Sequence, residues 1–471
     1  MIARGTIRVA AICACVHGVW AAPAVAQQSV PGSLTVAEAV ELALRDHPAV
    51  RAARAGSSAA AAEIGVARTA YLPRLDALWQ ANRATRNNLF GLLLPQSVIP
   101  PVSGPVLETQ TLDGVWSSAG GLLLSWEAID FGRRDATVNL ARTESGFADA
   151  QRAATELDVA SAAADAFLGV LAADAALGAA RANVQRLLVF ADSVRVLVEN
   201  QLRAGAERSR AQAELAAARN RLAEAERNVE LARLSLADAV GASGTRLEVD
   251  PGTLLQPPSQ PISTSFDPAS HPRAVAADAQ IDAARARDRV IEMTYRPRVE
   301  LQSAVSGRGV SRGVDNIPTG NGVALDVPNW AIGVSVTFPS LEIFRVRAQR
   351  RAEADRREEA AAHYEQTLQM LQTQEARARA VTAAALLIAA NAPAQLQAAR
   401  DTDAQARARY DAGLTSVIEV AEAQRLLAEA EAESAVANLA GWRALLAEAV
   451  LKGDVRLFLE QLRPAQTPSI P

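Results

Sequence analysis

Four segments of the chain alternate between apolar and polar residues, as a β-strand with one apolar face does. The clearest covers residues 329–339, and weaker alternation predicts strands near residues 72–84, 114–127 and 298–307. Segments of about ten residues with a period of two and aromatic residues near their ends are typical of membrane β-barrels. Alternation alone fits a soluble sandwich of two sheets equally well. The candidates for an aromatic girdle at the lipid–water interface are Trp79, Trp116, Trp126 and Trp330.

In the segments that separate the predicted strands, apolar residues recur every seven positions instead. One series places a larger apolar residue and an alanine at the two core positions: Leu215, Ala218, Leu222, Ala225, Val229, Ala232, Leu236 and Ala239. This pattern predicts left-handed coiled-coil packing with closely spaced helix axes, because alanine is small. Two helices of about 100 Å each are expected. The predicted helices cover residues 35–69, with Thr35 as N-cap, and then residues 133–202, 205–240, 345–411 and 416–451.

The chain contains two copies of one sequence plan. His47-Pro48 precedes Tyr71-Leu72-Pro73, and His271-Pro272 precedes Tyr295-Arg296-Pro297 at the same spacing. Later, Leu202-Arg203-Ala204-Gly205 corresponds to Tyr410-Asp411-Ala412-Gly413. Matches in the same order, flanked by the same elements, indicate an internal duplication. The predicted division is a first repeat at residues 27–241, a proline-rich linker at 242–268, a second repeat at 269–452 and a C-terminal tail at 453–471.

The N-terminus has the features of a secretory signal peptide at residues 1–26. Arg4 and Arg8 precede a short apolar run, and Ala24-Val25-Ala26 fits the cleavage rule. Both cysteines of the chain, Cys13 and Cys15, lie in this segment, so the mature protein is expected to lack disulfides and cysteine chemistry. Lipidation at Cys15 stays open as an alternative, although the residues before it match a lipobox poorly.

Composition narrows the functional class. Hydrophobic residues make up 49% of the chain and aromatic residues only 4%, which suits closely packed alanine-rich helices. No apolar stretch of about 18 residues follows residue 27, so no membrane-spanning helix is expected. The net charge of −4 gives no reason to expect a nucleic-acid partner. No phosphate-binding glycine loop or catalytic set appears, so we expect no enzyme, cofactor or metal, and interpret His47 and His271 as helix-to-turn residues.

The number of strands constrains the assembly. Four strands cannot close a membrane barrel, because the smallest such barrels have about eight. An open sheet in lipid would leave unpaired backbone groups at its edges. If these strands cross a membrane, identical copies must share one barrel, and three copies would give 12 strands and room for a lumen. The loops at residues 86–111 and 311–327 suit the longer extracellular loops of such barrels.

These fragments together resemble the TolC-like outer-membrane efflux proteins. The resemblance rests on the segment from Leu34 to Pro48, on Tyr71-Leu72-Pro73, on the two Ala-Gly turns and on the stretch from Tyr410 to Val420. It implies a mainly α fold with a small membrane β part: a long α-helical barrel in the periplasm and a shared 12-stranded β-barrel in the outer membrane. It also implies a homotrimer in outer-membrane lipid, working with a periplasmic adaptor and an inner-membrane pump in efflux or type I secretion. A periplasmic coiled-coil stalk without a pore is the alternative.

The resemblance further implies a gate at the turns that follow the long helices. Tyr410 matches the family's tyrosine there, while Glu419 and Glu422 match acidic positions that can ring the entrance and favour cations. Thr415 departs from the family pattern, which has an arginine at this place, and Ala211 replaces an acidic residue. The charged residues that could supply substitute contacts are Glu207, Arg208, Arg210 and Glu214.

Overall fold

The computed structural model describes residues 33–85, 112–256, 258, 265–312, 318 and 320–462. The predicted signal peptide, the loop at 86–111 and residues 463–471 of the C-terminal tail lie outside the described residues. In chain order the elements are α1 (Val36–Asp46), α2 (Pro48–Thr69), β1 (Arg74–Thr85), β2 (Gly114–Ile129), α3 (Arg133–Glu199), α4 (Gly205–Ala239), α5 (Pro272–Met293), β3 (Arg298–Val310), β4 (Val327–Thr337), α6 (Ile343–Asp411), α7 (Val417–Leu451) and α8 (Arg456–Gln461).

The predicted strands and long helices are confirmed to within a few residues at each end. The single helix predicted over residues 35–69 is wrong, because the chain divides into α1 and α2 at His47. Pro48 forces the residue before it out of helical geometry, and His47 has φ −62° and ψ 130°. Thr35 is confirmed as the N-cap of α1, where it forms a capping box with Glu38. The short helix α8 was not predicted.

His47 and His271 are confirmed in their helix-to-turn role. Nδ1 of His47 accepts a hydrogen bond from the backbone N–H of Ala49 at 3.2 Å, at the start of α2. Nδ1 of His271 accepts one from the N–H of Arg273 at 3.2 Å, at the start of α5. In each case the imidazole satisfies a backbone donor that has no partner within the helix.

The four strands form one antiparallel sheet in the order β1-β2-β3-β4. The register places Ala77 opposite Leu122, Leu122 opposite Val305, and Val305 opposite Trp330. Most of the large apolar residues of the four strands therefore lie on one face of the sheet, and Leu78, Val115 and Leu123 are among the exceptions on the other face. The side chains on the apolar face are largely exposed in the single chain, as Trp330 shows with 79% exposure.

The long helices pack as antiparallel pairs. α4 returns along α3 after a short turn, and α7 returns along α6 in the same way. The seven-residue series in α4 faces this contact: Ala218, Val229 and Leu236 are buried. The main core lies where α1, α4, α7 and α8 meet α3 between Leu157 and Leu171.

Two helices are long and apolar enough, by length and composition alone, to cross a membrane, so the expectation that no helix is apolar enough is wrong. α3 contains an 18-residue window with a mean hydropathy of 1.5, and the segment Ser340–Asp411 contains one with a mean hydropathy of 1.2. Alanine contributes to this hydropathy without forming a wide apolar surface. The two windows are weak evidence for a membrane span, because the core helix of a soluble protein passes the same test and 44% of the α3 window is buried.

Candidate functional site

The two helix turns at the far end of the long helices lie together. Residues 200–204 join α3 to α4, and residues 412–416 join α6 to α7. The second turn ends α6 through Gly413, whose φ of +73° favours glycine, and the N–H of Leu414 bonds the carbonyl of Arg409 at 2.8 Å. The first turn reaches the same left-handed region with Gln201, at φ 57°. We call the two turns and the adjoining helix ends the tip.

A small apolar cluster connects the two turns. It packs residues of α3, α4, α6 and α7 around Tyr410, which is only 2% exposed. The ring of Phe190 meets the ring of Tyr410 edge to face, with centroids 5.6 Å apart. Ala211 is buried in this cluster. A carboxylate there would be in contact with apolar side chains, so the alanine fits its surroundings.

The hydroxyl of Tyr410 joins the two turns by a polar contact. It donates a hydrogen bond to Oε2 of Glu207, at the start of α4, over 2.9 Å. Burial and the neighbouring carboxylate of Glu207 raise the pKa of Tyr410 to about 12. The phenol therefore keeps its proton at neutral pH and acts as the donor.

The acidic candidates on α7 are each paired with an arginine. Glu419 accepts a hydrogen bond from Arg409 at 2.6 Å, across the turn, and another from the hydroxyl of Thr415. Glu422 pairs with Arg425, and this contact lowers the pKa of the Glu422 carboxyl. Arg425 also pairs with Glu429 at 2.6 Å. The group of Glu422, Arg425 and Glu429 therefore holds two carboxylates and one guanidinium. The pair of Arg409 and Glu419 holds one charge of each sign.

The remaining candidates on α4 behave differently from Glu207. Arg208 and Arg210 are exposed, and neither they nor Glu214 form an ion pair or side-chain hydrogen bond with any described residue. The structure thus brings Tyr410, Glu207, Thr415 and Glu419 into contacts across or beside the turns. Sequence reasoning missed Arg203 and Arg409. Arg203 belongs to the repeated turn segment, which was the available signal.

The four tryptophans proposed for a girdle share the apolar face of the sheet. Trp79 lies opposite Gly120 in the register, and Trp330 lies opposite Val305. All four side chains are exposed in the single chain. Nε1 of Trp126 donates to the carbonyl of Tyr71 at 3.0 Å, which satisfies its polar atom near the end of the sheet. Among the described residues no group of three or more His, Cys, Asp or Glu could hold a metal ion.

Comparisons with known proteins agree with this architecture. The model of the Outer membrane efflux protein family matches residues 39–242 and 269–447. The fold is similar to the outer membrane channel CmeC of Campylobacter jejuni, with a TM-score of 0.73 and 18% identity over 91% of this chain and 89% of that one. It is also similar to the outer membrane protein VceC of Vibrio cholerae, with a TM-score of 0.69 and 19% identity over 89% and 96% of the two chains.

A third similar structure is the open state of the MtrE outer membrane channel of Neisseria gonorrhoeae. Its TM-score is 0.69, with 20% identity over 89% of each chain. At these identities the structural likeness shows the fold alone. No curated protein sequence matches significantly. The family match covers most of the chain: this protein belongs to the outer membrane efflux protein family, a family of TolC-like channels rather than enzymes, and is an outer-membrane protein with a helical periplasmic extension.

Proposed function

We propose that this protein is the passive exit duct of a tripartite efflux or type I secretion system. The observation that carries the proposal is the open four-stranded sheet. Within the described residues β1 and β4 each pair on one side only, and the apolar face is exposed. In lipid, unpaired edge groups cost several kcal/mol each. Pairing β1 of one copy with β4 of the next satisfies both edges.

Three copies arranged in this way form a 12-stranded barrel wide enough for a lumen. Trp79, Trp116, Trp126 and Trp330 then face lipid and form the interfacial girdle. The antiparallel helix pairs of the three copies line the periplasmic tube. The order of helices and strands in the two halves of the chain supports an internal duplication, with repeats at residues 27–241 and 269–452. Residues 1–26 act as a signal peptide that is removed on export.

The tip is the proposed gate, and it faces a periplasmic adaptor and an inner-membrane pump. Tyr410 and Glu207 tie the two turns of each copy together. Threefold symmetry would repeat the Glu422 and Glu429 carboxylates around the entrance. Because Arg425 balances only one of them, each copy retains negative charge there, which favours cations. Glu419 contributes less, since Arg409 neutralises it.

Fractionation tests the channel assignment. We expect the chain in the outer membrane as a trimer that survives detergent at room temperature and dissociates on boiling. Recovery as a water-soluble periplasmic rod would favour the pore-less stalk instead.

Planar-bilayer reversal potentials test the entrance. The change Glu422→Gln should lower cation preference more than Glu419→Gln does, and the double variant should lower it furthest. Equal selectivity in all variants would remove the assignment of these carboxylates to the pore entrance.

A further inference from the structure

The apolar face of the sheet changes character at one line of the register. On the helix side of this line Leu122 pairs with Val305, and both side chains are exposed in the single chain. The next two pairs on the same face, toward the end of the sheet away from the helices, are Gly120–Gly307 and Ser118–Gly309. The two middle strands therefore offer no large side chain to lipid over these two successive pairs.

A segment of the same chain fills this gap. Residues 320–326, which directly precede β4 and which we call the strap, cross the apolar face from β2 to β4. The side chain of Leu325 lies over two of the glycines. A Cβ added to Gly307 would be 2.9 Å from Cβ of Leu325, and one added to Gly120 would be 3.1 Å from its Cδ1. Glycine at these positions lets the strap lie directly on the sheet.

Polar contacts hold the strap in place. The carbonyl oxygen of Ala324 lies over Gly309, where an added Cβ would overlap it, and accepts a hydrogen bond from the hydroxyl of Ser118 at 3.4 Å. Oδ1 of Asn321 accepts from the N–H groups of Val323 and Ala324 at 2.9 and 3.2 Å, which fixes a turn within the strap. Ser118 and Gly309 are buried beneath it.

The backbone of the strap does not belong to the sheet. The pairing of β4 with β3 begins only at Val327, so no neighbouring strand bonds the strap groups that face away from the sheet. Irregular backbone exposed to lipid does not occur within hydrocarbon, because each unsatisfied group costs several kcal/mol. The strap therefore requires a polar environment, although it lies on the same face as Leu122 and Val305.

We propose that the strap ends the lipid-facing band of the barrel: the outer edge of the hydrocarbon lies between the strap and the Leu122–Val305 pair, and the strap contacts the polar headgroups of the outer leaflet. This inference rests on the proposed barrel and fixes its height in the membrane on the outer side. Trp116, which packs against Gly322 of the strap, then stands at the headgroup level. The strap leaves assembly unobstructed, because it rests on β2 and β3, whereas β1 and β4 form the edges.

Single-cysteine labelling in intact outer membranes tests the position of this edge. The mature chain is expected to have no other cysteine, since Cys13 and Cys15 lie in the predicted signal peptide. Val323→Cys, in the strap, should react with a charged, membrane-impermeant maleimide about tenfold faster or more than Val305→Cys, because a thiolate does not form in hydrocarbon. Val305 is the matched control: it is a valine on the same face and is more exposed in the single chain, at 64% against 44%.

A disulfide tests whether the strap rests on the glycines in the assembled protein. Oxidation of the double variant Gly307→Cys with Leu325→Cys should cross-link the strap to β3, because the two Cβ positions lie 2.9 Å apart and a small shift brings them to the spacing of a disulfide. Ile332→Cys with Leu325→Cys is the control and should not cross-link. Ile332 pairs with Ser303, four residues and about 13 Å along β3 from Gly307.

The outcomes are distinct. Fast labelling of Val323→Cys, slow labelling of Val305→Cys and a formed cross-link support the proposal. Slow labelling of both single variants places the strap within the hydrocarbon and overturns the proposal, while the barrel stands. A missing cross-link overturns it as well, since the strap then stands away from the sheet. Fast labelling of both single variants with the cross-link formed means that the apolar face does not meet lipid, which contradicts the proposed barrel itself.

Discussion

The two capping histidines occupy matching junctions but differ in one contact. At each, a histidine starts a helix (α2 or α5) against the end of another helix (α4 or α7). His271 is only 3% exposed, and its Nε2 lies 3.2 Å from the carbonyl of Val450 in α7. Because Nδ1 accepts from a backbone N–H, Nε2 carries the proton and donates to that carbonyl. No described residue accepts a hydrogen bond from Nε2 of His47.

Alanine substitution of each histidine should therefore have unequal consequences. His47→Ala removes an N-cap, which costs about 1 kcal/mol of local stability. His271→Ala removes an N-cap and also the bond to Val450, for about 2 kcal/mol in total. Since 1.36 kcal/mol is a factor of ten, amide protection should fall about fivefold at the first junction and about thirtyfold at the second.

Hydrogen exchange with mass spectrometry on the purified protein measures both junctions in one experiment. Peptides from the first turn of α5 and the last turn of α7 should lose protection together in His271→Ala. His271→Asn is the control, because asparagine is a good N-cap but is too short to bridge to Val450 in the same way. An equal loss in His47→Ala and His271→Ala, or an unchanged α7 end in His271→Ala, would refute the reasoning.

Three further predictions concern stability. Burial lowers the pKa of His271, so protection at its junction should be complete above pH 6.5 and decline as pH falls toward the folded-state pKa, in exchange measured between pH 7.5 and 5. Arg186 pairs with Glu431 through two hydrogen bonds of 3.1 and 2.7 Å, so Arg186→Ala should cost about 2 kcal/mol in thermal or denaturant unfolding by leaving the half-buried carboxylate without its partner. Gly453 has φ +80° and an added Cβ would lie 2.8 Å from Cδ of Pro272, so Gly453→Ala should lower the melting temperature.

The second and third of these predictions each have an internal comparison. Adding Glu431→Leu to Arg186→Ala should recover most of the loss, since no charge is then left unpaired. Gly65→Ala should be neutral or stabilising, as that glycine lies inside α2 with open space around it.

The strands and the long helices could be predicted because their apolar residues recur with a regular period. Alternation located the strands and put Trp330 on the apolar face, and the seven-residue series placed Leu236 in a helix contact. Thr35 was identified as a cap from local sequence alone. These features depend on residues close together in the chain, or on a pattern repeated many times.

The contacts at the tip could be predicted only in part. The family resemblance pointed to Tyr410, and Glu207 was one of four charged neighbours proposed without a way to rank them. Arg203 donates a hydrogen bond to the backbone carbonyl of Tyr410 at 2.9 Å because two distant turns lie at the same level of the helix bundle, which no local pattern encodes. The sequence could not rank Glu207 above Arg208 for the same reason: a step of one residue rotates the side chain by about 100° around the helix, and this decides which of the two faces Tyr410.

The alanine-rich contact between the long helices has a mechanical consequence. The main core on α3 ends near Leu171, and the next buried cluster along this helix, at Val184 and Leu187, begins about 20 Å away at 1.5 Å per residue. Small side chains bury little area, so each turn between them adds little resistance to sliding or bending. The tip can then move while the main core stays rigid, because the alanine-rich stretch of the long helices between them bends or slides easily.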